Sequence, residues 1–284
     1  LAQGAGRECG PIAARLGLRA GRRVDREVPD QAVQTGIPGC LQPPDQAPVW
    51  LHDFGMQTAL ADADIDIHEL HPVFEDAFGR IFRGEVENDD FNRLVVAARM
   101  PAAEIVVLRA YAKYLRQIGF ALSQSFIEAT LAANAGIAAD LVALFKARFD
   151  PEVPGGGDDE AVARRRAVET ALEAVDNLSE DRVLRQLLAL ILATTRTNFW
   201  RRDAEGRPRS FLSFKFDPAK VPGLPEPRPM FEIFVYSPRF EGVHLRGGRV
   251  ARGGLRWSDR PEDFRTEVLG LVKAQMVKNT VIVP

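Results

Sequence analysis

From Asp66 to Arg83 apolar residues recur at helical spacing, which predicts a helix with Phe74, Phe78, Ile81 and Phe82 on one face. Phe91 to Ala98 continues the helical pattern. Pro101 then stands where a first helical turn tolerates it, ahead of A-A-E-I-V-V-L-R-A-Y-A-K-Y-L-R-Q-I. Ser125 and Glu128 have capping-box spacing and predict a helix opening there and running through Leu131. Gly136 interrupts the pattern, and I-A-A-D-L-V-A-L-F-K-A-R-F predicts another helix, closed by Asp150-Pro151. The run V-P-G-G-G-D-D-E is a strong break. A long helix is expected from Asp158 to Val175, and a further one capped by Ser179, with Glu180 and Asp181 in its positive first turn.

After Trp200 the period changes to two. F-L-S-F-K-F (Phe211 to Phe216) and M-F-E-I-F-V-Y (Met230 to Tyr236) alternate as strands do, with an extended proline-rich loop between them. Val243 to Arg246 and Arg249 to Ala251 predict short strands around a Gly247-Gly248 turn. Pro261 opens a helix through about Asn279, with Phe264, Val268, Leu271, Val272 and Met276 on its buried stripe. Thr280 to Val283 is a β-branched apolar run and reads as a buried strand. The expected fold class is α+β passing into α/β: a mostly helical region over 48–200, then the opening elements of an α/β domain over 201–284. A terminal strand without neighbours leaves an open apolar edge, so aggregation or disorder of the last ~50 residues is expected if the chain is expressed alone.

Residues 1–47 look different. They are rich in Gly, Arg, Pro, Gln and Ala, lack aromatic residues and show no sustained period, so they read as loop or disorder. At Pro48 the texture changes abruptly to V-W-L-H-D-F-G-M, a strand-like run. The shift marks either a domain boundary or a frameshifted, non-native stretch. The chain also begins with Leu1 in place of Met, which hints at a fragment.

Bulk properties narrow the classes. The 284 residues are 46% hydrophobic and 27% charged, ordinary for a globular protein with room for a real core. A net charge of -2 argues against a dedicated nucleic-acid or membrane-surface protein. No apolar run approaches the ~20 residues of a membrane helix. Cys9 and Cys40 have neither metal-ligand spacing nor the number for a disulfide framework, so a reducing, cytoplasmic setting is expected. His52, His68, His71 and His244 form no metal constellation and are taken as structural. No G-x-G-x-x-G fingerprint or P-loop occurs, and Gly155 to Gly157 is a linker that no strand feeds.

The chemistry concentrates at the C-terminal end, which is locally cationic. Arg252 and Arg256 before the last helix and Lys278 at its end are separately placed cations, an arrangement that suits a ligand with two carboxylates. Gly253-Gly254 would let backbone approach such a ligand. Gln275 and Lys278, three apart, share a helix face. Plainer readings stand beside this one. The two R-G-G runs also fit tight turns with solvated arginines, whereas an arginine-glycine tract for RNA is disfavoured, because such tracts are long and disordered and this pair is embedded in strand pattern. A lysine at a helix C-terminus is usually a dipole partner or a snorkelling surface residue, so Lys278 taken alone does not make a site.

The run H-L-R-G-G-R-V-A-R-G-G-L-R-W-S-D-R-P-E-D-F-R-T-E-V-L-G-L-V-K-A-Q-M-V-K-N-T-V-I-V-P resembles the large NAD-specific glutamate dehydrogenases of bacteria. P-V-W-L-H-D-F-G, I-E-A-T-L-A-A and L-V-A-L-F-K-A-R-F-D-P resemble the same family, so the likeness spans about Pro48 to Pro284. It implies reversible oxidative deamination of L-glutamate to 2-oxoglutarate and ammonia, with NAD as hydride acceptor. It also implies that 201–284 is the truncated start of the substrate-binding domain of a homo-oligomeric enzyme. By motif, the substrate carboxylates fall to Arg252, Gly253 and Gly254 and to Gln275 and Lys278. Many smaller relatives carry Lys at the position of Arg252. The family's catalytic lysine, its aspartate partner and its NAD domain fall beyond Pro284. No catalytic, cofactor-binding or metal residue is therefore expected within these residues, and the polypeptide alone is expected to lack dehydrogenase activity. The alternative is a non-catalytic helical interaction module; neither reading involves nucleic acid or a membrane.

Overall fold

A computed structural model of the chain describes residues 67–152, 158–249, 254 and 256–278, together with Arg15 and four short strands in the first 58 residues. Those strands form two antiparallel pairs. β1 (Leu18–Ala20) pairs with β4 (Met56–Thr58), and β2 (Gly39–Leu41) pairs with β3 (Val49–Leu51). β1 and β2 lie in the stretch read as loop. The rest of that stretch lies outside the described residues, apart from Arg15.

Seven helices follow. α1 is Ile67–Phe82, and a 3-10 turn at Asp90–Arg93 leads into α2, Leu94–Ala97. α3 is Ala102–Gln117, started by Pro101, and α4 is Gln124–Ala133. α5 is Ala135–Phe149, α6 is Asp158–Leu172 and α7 is Leu178–Ala193. Four details differ from the sequence reading. The cap of α4 is Ser123, whose hydroxyl accepts from the Phe126 N–H at 3.2 Å. Ser125 lies inside the first turn, and Glu128 takes the Gln124 amide at 2.7 Å, so it cannot reach back as a capping box requires. The cap of α7 is Asn177, whose extended backbone lets its side-chain oxygen accept from the N–H groups of Ser179 and Glu180. Gly136 does not break the chain; the 98° bend between α4 and α5 falls at Asn134. Phe82 belongs to the predicted stripe of α1 yet is 48% exposed, because it sits at the helix end beyond the surface that Ala77 and Ile81 bury.

α7 runs directly into β5 (Thr194–Thr197), the edge of a four-stranded sheet ordered β5-β6-β7-β8. β6 is Leu212–Phe216, β7 is Phe231–Ser237 and β8 is Phe240–Arg246. Pro238 and Arg239 form the turn of the β7–β8 hairpin, in which Ser237 opposes Phe240. β8 starts three residues earlier than the sequence predicts. Glu-Gly-Val-His carries no alternation, and the strand is imposed by pairing with β7. Every described ladder is antiparallel, which makes this part of the chain α+β: a helical region, a four-stranded antiparallel sheet and a C-terminal helix. The strands expected at Arg249–Ala251 and Thr280–Val283 lie largely or wholly outside the described residues.

Helices and sheet share one hydrophobic core. The period-two pattern of β6 and β7 puts Leu212, Phe214 and Phe216 and then Phe234 and Tyr236 on the face covered by helices. α3 supplies the other side. The Tyr111 ring stacks on Phe214 with centroids 4.2 Å apart, and Tyr114 stacks on Phe216 at 4.3 Å. A 3-10 turn at Pro261–Asp263 opens the last helix, α8, Phe264–Lys278. Among the described side chains of α8, Arg265 and Leu269 are buried; Met276 of the expected stripe lies outside them. Phe264, Val268 and Val272, assigned to the buried stripe, are half-buried, and Leu271 is 44% exposed. α8 is turned this way because a buried carboxylate on β7 claims Arg265. Among the described residues, no single helix is long and apolar enough to cross a membrane.

Candidate functional site: the approach to helix α8

The first R-G-G is a structural turn. The Arg246 guanidinium folds back, donating to the Gly248 carbonyl at 2.9 Å and to the Arg249 carbonyl, and lies over the Phe231 ring. In the second R-G-G, Arg252 and Gly253 lie outside the described residues. Gly254 is described, and a Cβ added there would meet open space. The segment after it is clamped to α8 by one carboxylate. Glu267 accepts from Arg256 Nε at 2.8 Å, from Ser258 Oγ at 2.8 Å and from Arg260 Nη2 at 3.3 Å. The bonds from Arg256, Ser258 and Arg260 hold the Glu267 carboxyl down at about 2. Arg256, read from the sequence as a cation open to a ligand, is therefore committed to Glu267.

Under the clamp sits a network that sequence reasoning missed. Arg265 is buried, and its guanidinium meets both oxygens of Glu232 on β7, at 2.7 and 2.9 Å. The Tyr114 hydroxyl of α3 donates to the same Glu232 carboxylate at 2.7 Å. Burial works against the charge on Arg265, but the hydrogen bond and charge of Glu232 outweigh it, and the guanidinium is held above its ordinary value. Burial, reinforced by the Glu232 charge, pushes the Tyr114 hydroxyl well up. Neither group gives up its proton near neutral pH. Arg265 thus leaves the count of cations available to an anionic ligand.

Gln117, the last residue of α3, completes the joint. Its side-chain oxygen accepts from the Arg265 backbone N–H at 3.0 Å. Its amide donates to Glu241 Oε2 on β8 at 3.1 Å and to the Pro261 carbonyl. Burial pushes the Glu241 carboxyl up, against the opposing bond from Gln117. A signal for part of this was present in the sequence. In M-F-E-I-F-V-Y, Glu232 has the same parity as Phe234 and Tyr236, so it faces the core and needs a buried cation. Which cation answers it was not readable from spacing.

From Gly270 to Gln275 the helix is mostly exposed. Lys273, Ala274 and Gln275 are exposed, and Lys278 is the last residue of α8. The structure therefore puts Gln275 on an exposed stretch of a helix whose first turns are locked into the fold, and Lys278 at the last position of that helix. Among the described residues, no group of three or more His, Cys, Asp or Glu side chains is placed to hold a metal ion.

A family model described as "Bacterial NAD-glutamate dehydrogenase, catalytic domain" matches residues 167–284, and "Glutamate dehydrogenase, helical motif 3" matches residues 86–151. The chain is 53% identical over 239 residues to the NAD-specific glutamate dehydrogenase of Halomonas elongata, covering 84% of this chain. It is 53% identical over 238 residues to that of Pseudomonas aeruginosa, covering 83% of this chain. It is 48% identical over 248 residues to that of Mycobacterium tuberculosis, covering 85%. The chain spans about 15% of the length of each of these relatives. With both models falling on the helical region, the sheet and α8, the chain belongs to the family of large bacterial NAD-specific glutamate dehydrogenases.

Proposed function

We propose that this chain supplies the glutamate-binding part of an NAD-dependent glutamate dehydrogenase. The complete enzyme interconverts L-glutamate with 2-oxoglutarate and ammonia. Arg252, with Gly253 and Gly254 admitting the ligand, holds one substrate carboxylate, and Gln275 and Lys278 hold the other. The 201–284 portion then opens an α/β substrate-binding domain. The observation that carries this reading is the disposition of α8: its first turns are anchored through Arg265 and Leu269, while Gln275 stands exposed on the half that leads to Lys278.

Within these residues the chemistry is electrostatic. Cations and an amide grip a dicarboxylic amino acid and orient its α-carbon. The residues present do not fit a dinucleotide, since the chain has no G-x-G-x-x-G and every described ladder is antiparallel. On this reading NAD is held by other parts of the complete enzyme. The same reading places that enzyme in the cytoplasm and makes it a homo-oligomer, and light scattering on the purified protein checks the oligomeric state.

Steady-state kinetics on the full-length enzyme and its Lys278→Ala variant test the assignment. Loss of one charge-assisted contact should raise the glutamate KM by about tenfold or more. Unchanged KM and turnover would favour a helical interaction module instead.

A further inference from the structure

We propose that Gln117 and Tyr114, on α3 of the helical region, are positioning residues for glutamate: they set the angle at which α8 presents Gln275 and Lys278. This rests on the reading of α8 as the substrate helix.

A helix N-terminus leaves backbone donors unpaired, and they are usually satisfied by a cap close in sequence. Arg260, before the 3-10 turn that opens α8, makes no such side-chain bond. The Arg265 N–H is instead satisfied by Gln117, 148 residues away in sequence. Gln117 is 3% exposed, so water does not compete for this bond. The same side chain holds the Pro261 carbonyl at the start of the turn and Glu241 on β8. One amide thus ties together three elements: α3, the hairpin strand β8 and the opening of α8. Tyr114, one turn earlier on α3, holds the Glu232 carboxylate that grips the Arg265 side chain. Backbone and side chain of Arg265 are therefore both referenced to α3.

The rest of α8 is less constrained. Past Leu269, its exposed positions are Gly270, Leu271, Lys273, Ala274 and Gln275. A helix whose opening turn sets its angle behaves as a lever. From Arg265 to Lys278 it runs ~20 Å, so a tilt of about 5° at the anchored end displaces Lys278 by about 2 Å. A displacement of that size is enough to weaken oriented carboxylate contacts severely.

The experiment uses the full-length enzyme with glutamate and NAD varied in turn. Gln117→Met keeps the volume and removes all three bonds; Tyr114→Phe keeps the stacked ring and removes one. Tyr111→Phe is the control. It deletes a buried hydroxyl bond on the same helix, to Thr194 at 2.8 Å, on the side away from α8. Gln117→Met is expected to raise the glutamate KM about tenfold with the NAD KM unchanged, and Tyr114→Phe about threefold. Tyr111→Phe should lower the melting temperature and leave both KM values alone. If Gln117→Met does not fold, Tyr114→Phe decides. A glutamate KM that stays at the wild-type value, or that shifts equally in Tyr111→Phe, overturns the proposal. Wild-type enzyme with normal glutamate kinetics but an unaffected Lys278→Ala variant would instead overturn the assignment of the substrate helix, and this proposal with it.

Discussion

Removing the guanidinium of Arg265 should be among the most damaging single changes in this chain. Arg265→Met keeps most of the stem's packing and leaves the Glu232 carboxylate, which is 0% exposed, with the Tyr114 hydroxyl as its one remaining donor among those described. Two charge-assisted bonds, at 2.7 and 2.9 Å, are lost together. Truncating one member of a buried pair costs about 3–5 kcal/mol, because the other charge stays buried without compensation. At 2–4 °C per kcal/mol for a chain of this size, the melting temperature should fall by about 10 °C. Urea unfolding of wild type, Arg265→Met, Glu232→Gln and the double variant separates this from lost packing. The double variant should recover much of the stability, since a neutral amide is far less costly to bury than a carboxylate. A loss below about 1 kcal/mol in Arg265→Met, or no recovery in the double variant, would refute the buried-pair argument.

Further outcomes follow from other contacts. Glu267 is held at about 2, so the clamp over Arg256, Ser258 and Arg260 should be fully present above the ordinary glutamate range and lost only as pH falls through that low value. Carbon-13 titration of the Glu267 carboxyl checks this, and a midpoint in the ordinary range would contradict it. Arg109 is fully buried, meets both oxygens of Asp89 at 2.7 Å and reaches Asn92 at 2.8 Å, so Arg109→Lys should still cost about 2 kcal/mol in urea unfolding, because an ammonium cannot span all three. Burial raises the Glu241 carboxyl, so its ionised form is the disfavoured one. Glu241→Gln should gain stability over wild type in urea unfolding as pH rises above the carboxylate range, and a gain confined to acid would reverse the argument.

How much was readable in advance differs by element. The long helices were legible because their apolar spacing reports one buried face, and β6 and β7 because alternation does the same at period two. Caps were misplaced by two residues at both α4 and α7. Ser123 and Ser125, or Asn177 and Ser179, are all competent acceptors, and which one caps depends on where the preceding chain arrives. The stripe on α8 was misassigned for a stronger reason. A count of apolar positions favours Phe264, Val268 and Leu271, yet the face turned inward is the one carrying Arg265, since an unpaired Glu232 in the core would cost more than an exposed leucine. Of the candidate site, Gln275 and Lys278 came from the sequence, and α8 does carry both. Arg256 was read as available and is held by Glu267.

What the residue order determined by itself was local: the helical run from Ala102 to Gln117, the alternating strands, and the dense match of R-G-G and α8 to one enzyme family, because each depends on neighbours within a few turns of chain. What only the tertiary structure decided was long-range. Gln117 caps a helix 148 residues later, and Tyr114, Glu232 and Arg265, from three separate elements, close one buried network. Such contacts join donors and acceptors that are common everywhere in the sequence, and desolvation selects one partner among many only after the core has formed.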